Sequence, residues 1–266
     1  MKIYKAYAKV NIFLKIRGKR ENYHEIVSRF MRVNSLFDEL SFVPKQEKKF
    51  EIIGDFSCKT EQNTIYKAYL ALKAATASEV LEEFMATHAV YVKKQIPAFA
   101  GLGGGSSDAA TYLKMCNETL NLGLSLDELA NIGLKVGADV PFFIYNYESA
   151  NVSGIGEVVE EFVEEILDFE IFTPKLEIST PKVYGIYRDN FYNPISEAEA
   201  DMLKRRGSLE ILENMSAKEA NDLFEPALQG YAELKNQYKD GWHFSGSGSS
   251  FFRSADKIYK QAGEIR

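Results

Sequence analysis

Alternating apolar and polar residues mark the first part of the chain. Between positions 6 and 16 every even position is apolar, whereas the odd positions include Tyr7, Lys9 and Asn11. Because successive side chains of a β-strand point to opposite faces, this pattern predicts a half-buried strand. It also predicts that Lys9 and Asn11 lie together on the face opposite the core.

Other periodic segments predict both strands and helices. Apolar runs predict strands over residues 26–42, 50–53 and 89–94, the last of them ending at Pro97. Helical spacing predicts helices over 64–75, after an Asn63 cap, and over 79–85 and 218–238. Ser125 and Glu128 predict a capping box for a helix that ends near Gly137.

The remaining segments are less regular. Asp139 and Pro141 have the spacing of a helix cap and a first-turn proline. Residues 242–252 predict a strand, a glycine-rich turn and a second strand, and a last helix is predicted from about Asp256. Residues 157–165 fit a helix and short strands equally well.

A glycine run stands between a predicted strand and a predicted helix. Residues 100–111 read AGLGGGSSDAAT, with Ser106 or Ser107 predicted to cap the helix and Asp108 suited to its positive end. Backbone N–H groups at such a junction bind phosphate, and the helix dipole adds positive potential without basic side chains. The run therefore predicts a phosphate site, and a flexible surface turn is the alternative.

Two common nucleotide motifs do not fit this run. A P-loop needs Gly-Lys-Ser/Thr at its end, and no lysine occurs between Lys94 and Lys114. The dinucleotide pattern GxGxxG fits Gly101 and Gly103 but fails at Ser106.

Composition narrows the class of protein further. The formal net charge of −6 argues against a nucleic-acid or polybasic membrane partner, so a polyphosphate must be attracted locally. Cys58 and Cys116 stand alone, which favours a reducing cytoplasm, and the three histidines lack zinc-ligand spacing. Because no apolar stretch approaches the roughly 18 residues of a membrane span, we expect a soluble cytoplasmic protein.

Several blocks resemble the GHMP small-molecule kinases. The resemblance includes Pro97-Ala-Phe-Ala-Gly-Leu-Gly-Gly-Gly-Ser-Ser-Asp-Ala-Ala, which is similar to the family's ATP-phosphate loop. The other similar blocks, in the family's order, are residues 8–14, 23–24, 137–143, 179–181 and 245–249. Two positions depart from the family pattern: Phe99 stands where glycine is usual, and Asn22 takes the place of the glycine before Tyr-His.

The resemblance implies a fold and an activity. The implied fold is the α+β, two-domain GHMP kinase fold with the active site in the cleft between domains. Residues 1–147 would form the ATP-binding domain and 148–266 the substrate-side domain. ATP with Mg²⁺ would be the co-substrate, and the GLGGGSS form is most similar to the branch that phosphorylates 4-diphosphocytidyl-2-C-methyl-D-erythritol. The alternatives are a GHMP kinase for another alcohol, such as homoserine or a sugar, and a catalytically silent nucleotide-binding protein.

The same resemblance implies the site residues. Asp139 would accept the proton of the substrate hydroxyl, and Lys9 would pair with Asp139 and that hydroxyl. The implied ATP-binding residues are Pro97, Ala98, Phe99, Ala100, Gly101, Leu102, Gly103, Gly104, Gly105, Ser106 and Ser107. The implied substrate-binding residues are Asn11, Tyr23, His24, Thr180 and Tyr184. Without the resemblance, the spacing favours an exposed strand lysine at position 9, whereas Asp139 fits a plain helix cap and a functional residue equally well. No obligate protein partner is evident.

Overall fold

The computed structural model describes residues 1–21 and 23–255, so the helix predicted from about Asp256 lies outside the described residues. The chain divides into two compact units. The first unit comprises Met1–Ala8, Leu36–Ala98 and Gly103–Tyr147, and the second comprises Lys9–Ser35, Phe99–Leu102 and the chain from Glu148 onward. The division into domains at residue 147 stays a prediction.

Two long paired strands open the chain, β1 (Tyr4–Arg20) and β2 (Tyr23–Pro44). The strand predicted over positions 6 to 16 is confirmed, and residues 26–42 belong to one strand. The prediction that β1 is half-buried is wrong, since Lys9 is 3% exposed and Asn11 is 1% exposed. On this face the Lys9 ammonium lies over the Phe30 ring, and the Asn11 amide donates to the Ser28 hydroxyl.

The first unit contains two further strands and five α-helices among its described residues. These are β3 (Ile52–Ile53), α1 (Thr64–Thr76), α2 (Glu79–Thr87), β4 (His88–Lys93), α3 (Gly104–Thr119), α4 (Leu126–Leu134) and α5 (Val140–Tyr145). β4 runs antiparallel to β2 from Glu39↔Lys93 to Pro44↔His88, and β3 runs parallel to β4. The predicted caps are confirmed for α1 and α4: Asn63 accepts the Ile65 N–H, and Ser125 and Glu128 form the capping box.

The second unit combines two sets of paired strands with short helices. Its further elements are β5 (Ser149–Gly154), β6 (Val158–Glu161), β7 (Phe169–Phe172), α6 (Thr180–Ile186), α7 (Glu197–Arg205), α8 (Ser208–Asn214), α9 (Ala217–Ala220), α10 (Phe224–Gly230), β8 (His243–Phe244) and β9 (Phe251–Ser254). β5 pairs antiparallel with β2 and β6, and β9 pairs antiparallel with β7 and β8. The predicted strand, turn and strand over 242–252 are thus confirmed. Within the segment 157–165, which fitted a helix and short strands equally well, β6 forms a short strand over Val158–Glu161.

The single helix predicted over 218–238 is wrong. The chain leaves the helical conformation at Asn221, whose φ is −136° and ψ is 109°. The Asn221 amide donates to the carbonyl oxygens of Phe244 and Gly246 at 2.8 and 2.9 Å, and its oxygen accepts the Leu223 N–H. These long-range hydrogen bonds replace helical ones, so α9 and α10 form instead of one helix.

None of the helices in the two described ranges is long and apolar enough to cross a membrane. Cys58 and Cys116 are both free thiols, in agreement with the sequence.

Arg29 is the polar centre of the second unit. Its fully buried guanidinium donates to Asn151 Oδ1 and to the Lys204 carbonyl oxygen, each at 2.8 Å. It also forms an ion pair with Glu164 at 3.2 Å and lies 3.4 Å from the centroid of the Phe162 ring. One cation therefore joins β2, β5 and the segment after β6.

We expect Arg29→Met to lower the free energy of unfolding by about 3–5 kcal/mol, because Glu164 would keep a largely buried charge without its cation. Urea unfolding followed by circular dichroism measures this change. Arg17→Met is the matched control: Arg17 pairs with Glu197 at the surface, and its loss should cost less than about 1 kcal/mol. Equal destabilisation by the two variants would contradict the central role of Arg29.

Candidate active site

The glycine run forms the connection from β4 to α3. Gly101 has a φ of +75°, and a Cβ built on it would lie 2.0 Å from the Ser245 carbonyl oxygen, so only glycine fits there. Gly103, with φ of +72°, occupies the cap position of α3 and has no side chain with which to cap the helix. A first turn whose N–H groups receive no hydrogen bond from the cap residue favours an anion.

The predicted caps Ser106 and Ser107 are wrong, because α3 already begins at Gly104. Both serines lie in its first turn, and Ser107 is buried. Phe99 has a φ of +51° and is 55% exposed. A bulky residue in the left-handed region is strained, which explains why glycine would be usual at this position.

Lys9 and Asn11 form a buried polar pair on β1. The Lys9 ammonium donates to Asn11 Oδ1 at 2.6 Å and lies 4.4 Å from the centroid of the Phe30 ring. The Asn11 amide donates to Ser28 Oγ at 3.0 Å. The Lys9 backbone N–H donates to the Leu102 carbonyl oxygen at 3.0 Å, so the pair is attached to the glycine run. The interpretation of Lys9 as an exposed strand lysine is therefore wrong.

Residues 245–250, between β8 and β9, contact the beginning of the glycine run. Ser245 Oγ donates to the Gly101 carbonyl oxygen at 2.9 Å, and the Ser250 N–H donates to the Ala100 carbonyl oxygen at 3.1 Å. The Thr180 and Ser247 hydroxyls are 2.7 Å apart. These residues are absent from the predicted site residues, although the resemblance implies that the segment lies near the active site; a plain hairpin turn is the alternative.

Aromatic rings surround His24 in the second unit. The His24 ring stacks on Tyr184 at 5.2 Å between centroids, and it also contacts Tyr187 at 5.7 Å and Tyr192 at 6.5 Å. Burial, with smaller effects of Lys19 and Arg188, lowers the pKa of His24, so the ring is neutral at pH 7. Its Nε2 atom is buried and lacks a hydrogen-bond partner among the described residues.

We name His24, Tyr184, Tyr187 and Tyr192 the aromatic cluster. Tyr187 and Tyr192 are absent from the predicted site residues, and the recurrence of aromatic residues after position 184 was the only sequence signal for them. Tyr23, which precedes His24, is 62% exposed.

Asp139 stands at the start of α5 in the first unit. Its φ of −82° and ψ of −11° are helical, and its side chain makes no capping hydrogen bond. Capping therefore does not account for this carboxylate, although Pro141 does lie in the first turn as predicted. A Cβ built on Gly137 would lie 3.7 Å from Ser106 Oγ, which places the turn before Asp139 beside the first turn of α3.

The comparisons with known proteins agree with this geometry. Residues 63–147, from the cap of α1 to the end of the first unit, match the family model described as the GHMP kinases N terminal domain. The glycine connection and the turn before α5 both lie within this match. The fold and the site thus define a small-molecule kinase of the GHMP class, and the predicted α+β GHMP kinase fold is confirmed.

Similar proteins show to which family of GHMP kinases the chain belongs. The chain is 70% identical over 262 residues to the 4-diphosphocytidyl-2-C-methyl-D-erythritol kinase of Sulfurimonas denitrificans, covering 97% of this chain and 98% of that relative. It is 44% identical to the enzyme of that name from a Sulfurovum species, covering 94% and 98%. A crystal structure of 4-(cytidine 5'-diphospho)-2C-methyl-D-erythritol kinase matches with a TM-score of 0.72 at 28% identity, covering 99% and 94%. The chain belongs to the 4-diphosphocytidyl-2-C-methyl-D-erythritol kinase family.

Proposed function

We propose that the chain transfers the γ-phosphoryl group of ATP to the 2-hydroxyl of 4-diphosphocytidyl-2-C-methyl-D-erythritol, a step of the non-mevalonate isoprenoid pathway. The observation that carries this function is the 70% identity to a kinase of that name over nearly the whole of both chains. The residues that the chemistry requires, described next, support it.

The nucleotide binds at residues 97–107, where the first turn of α3 offers backbone N–H groups to its phosphates. ATP arrives as its magnesium complex, because Mg²⁺ is readily held by phosphate oxygens and water. The protein need not supply a dedicated cage, and the described residues contain no group of three or more His, Cys, Asp or Glu side chains placed for a metal.

Transfer requires positioning and charge neutralisation. The 2-hydroxyl oxygen forms a bond to the γ-phosphorus, and the bond from that phosphorus to the β–γ bridging oxygen breaks, which leaves ADP. Asp139 accepts the hydroxyl proton. The Lys9 ammonium stabilises the negative charge that moves between the oxygens, and Asn11, its hydrogen-bond partner, orients it.

The cytidylyl group is recognised in the second unit. The aromatic cluster and Tyr23 supply stacking surfaces, and the neutral His24 ring offers Nε2 to the edge of the base. Thr180 lies at the start of the helix that carries Tyr184 and adds a hydroxyl beside Ser247. Asn11 contacts the part of the substrate near the reacting hydroxyl.

ADP release from MgATP tests the function, with the cytidylyl substrate offered beside homoserine, galactose and mevalonate. Turnover confined to the cytidylyl substrate is expected. Turnover with another alcohol would support the proposed kinase reaction but contradict the proposed substrate. Nucleotide binding without turnover on any alcohol would favour a silent nucleotide-binding protein. The cytoplasmic location stays a prediction.

We expect His24→Ala to raise the KM for the cytidylyl substrate about tenfold with little change in kcat, because the base would lose a hydrogen bond and a stacking partner. Steady-state kinetics with saturating MgATP measure both constants. His24→Phe is the matched variant, since it keeps the stacking on Tyr184 and removes only the hydrogen bond. An unchanged KM in both variants would assign His24 a purely structural role.

A further inference from the structure

Three charged side chains meet inside the first unit, next to the glycine run. The Lys94 ammonium donates to Asp108 Oδ2 at 2.7 Å and also to Asp38 Oδ2. Lys94 directly follows β4, Asp38 lies in β2, and Asp108 lies in α3. We call these residues the buried triad, because their side chains are 17%, 0% and 3% exposed, respectively.

The two carboxylates of the buried triad differ in their hydrogen bonds. Asp38 Oδ1 accepts the backbone N–H groups of Gln95 and Ile96, at 2.5 and 2.9 Å. Asp108 Oδ1, in contrast, is buried and has no hydrogen-bond partner among the described residues. An ionised oxygen without a partner is costly to bury, whereas a neutral carboxyl is cheaper, so Asp108 is the group suited to hold a proton.

Electrostatics support the same assignment. Burial raises the pKa of Asp108 to about 7, against the attraction of Lys94 and with the repulsion of Asp38. Lys94 and Asp38 are the charged groups that act on this carboxyl from the elements around it. Although burial opposes it, the two carboxylates raise the pKa of Lys94, which therefore stays charged. The buried triad changes from net charge 0 to −1 when Asp108 ionises.

The buried triad lies where this charge affects an anion. A Cβ built on Gly104, the first residue of α3, would be 3.7 Å from the Lys94 ammonium nitrogen. Asp108 stands one helical turn further along the same helix. Under the proposed function, the N–H groups of this first turn hold the ATP phosphates.

We propose that Asp108 is a positioning residue for the nucleotide: its neutral carboxyl keeps the Lys94 ammonium beside the first turn of α3, and its ionisation weakens the binding of ATP. This inference rests on the proposed function. Its thermodynamic counterpart is that bound phosphates favour the neutral carboxyl, so binding of ATP takes up a proton near pH 7.5.

Calorimetric titration of the whole chain with a non-hydrolysable MgATP analogue tests this inference. Titrations at pH 6.0 to 8.5, in two buffers of different ionisation enthalpy, give both the Kd and the protons taken up. For the parent chain, we expect the Kd to rise about five- to tenfold across this range, with proton uptake near pH 7.5. Asp108→Asn should flatten the Kd profile and abolish that extra uptake, because its amide keeps an oxygen for Lys94 and cannot ionise.

Glu118→Gln is the control within the same helix, since Glu118 pairs with Lys2 at the surface; it should follow the parent chain. A parent profile that is flat, or one that Asp108→Asn reproduces, would overturn the inference while leaving the kinase function intact. Failure of the parent chain to bind the analogue at any pH would instead overturn the nucleotide site and the inference with it. Because the proton uptake is measured on the parent chain, the test does not depend on the variant's folding.

Discussion

Asp139→Asn is expected to lower kcat by about 10³-fold while the Kd for MgATP stays unchanged. The asparagine side chain has nearly the same shape but cannot accept the hydroxyl proton. The substitution should not disturb α5, because the Asp139 side chain makes no capping hydrogen bond in that helix. Single-turnover kinetics with the cytidylyl substrate measure the chemical step, and calorimetry measures the binding of the nucleotide.

A control separates the loss of a base from the loss of a negative charge in the first unit. Asp127 lies in the first turn of α4, where its carboxylate accepts a hydrogen bond from the Tyr145 hydroxyl. Asp127→Asn also removes one charge, and it should keep turnover within about twofold of the parent chain. If Asp139→Asn retained most of the turnover, Asp139 would not be the base, and another acceptor would be required.

Local patterns predicted much of the fold. Asn63 and the Ser125–Glu128 capping box fixed the starts of α1 and α4, because a cap acts within three residues of the helix it begins. The turn between β8 and β9 was likewise visible in its own glycines. Such signals lie within one segment, so the sequence alone is sufficient to find them.

Most of the incorrect predictions concern contacts between distant segments. The cap of α3 is the exception, because the local pattern pointed to Ser106 or Ser107 while the helix already begins at Gly104. Lys9 and Asn11 are polar positions of β1 in sequence, yet both are buried, with the Lys9 ammonium over the Phe30 ring and the Asn11 amide bonded to Ser28. Asn221 ends a helix that periodicity extended, since it bonds to carbonyl groups beyond β8. Residues 245–250, which are far along the chain from the glycine run, contact residues 100 and 101 in the fold.

The candidate site shows the same difference between what local patterns predict and what contacts between distant segments decide. The resemblance to the GHMP kinases predicted Lys9, Asp139 and the glycine run as site residues from their order in the chain, but it could not supply the surroundings of each side chain. Tyr187 and Tyr192 join the candidate site only through their contacts with His24. Burial likewise raises the pKa of Asp108 to about 7, which its position in the sequence near the start of a helix does not predict.

Lys9→Met should lower kcat by about 10²- to 10³-fold and leave both KM values within about threefold of the parent chain. Methionine keeps an unbranched apolar side chain against Phe30, so the packing of β1 is largely preserved. What is lost is a cation that, in the proposed reaction, is needed most when charge moves between the oxygens. An interaction made chiefly in the transition state affects kcat, whereas one made equally in the ground state affects KM.

Lys9→Met also removes a hydrogen bond from Asn11, whose oxygen accepts from the Lys9 ammonium at 2.6 Å. Asn11→Ala tests this coupling: if Lys9 acts through its charge and Asn11 only orients it, Asn11→Ala should reduce kcat less than Lys9→Met does. Lys5→Met, at an exposed position of the same strand, is the control and should leave both constants unchanged. A raised KM with an unchanged kcat in Lys9→Met would show that Lys9 binds the substrate in its ground state, and the charge on the transferred phosphoryl group would then need another source of stabilisation.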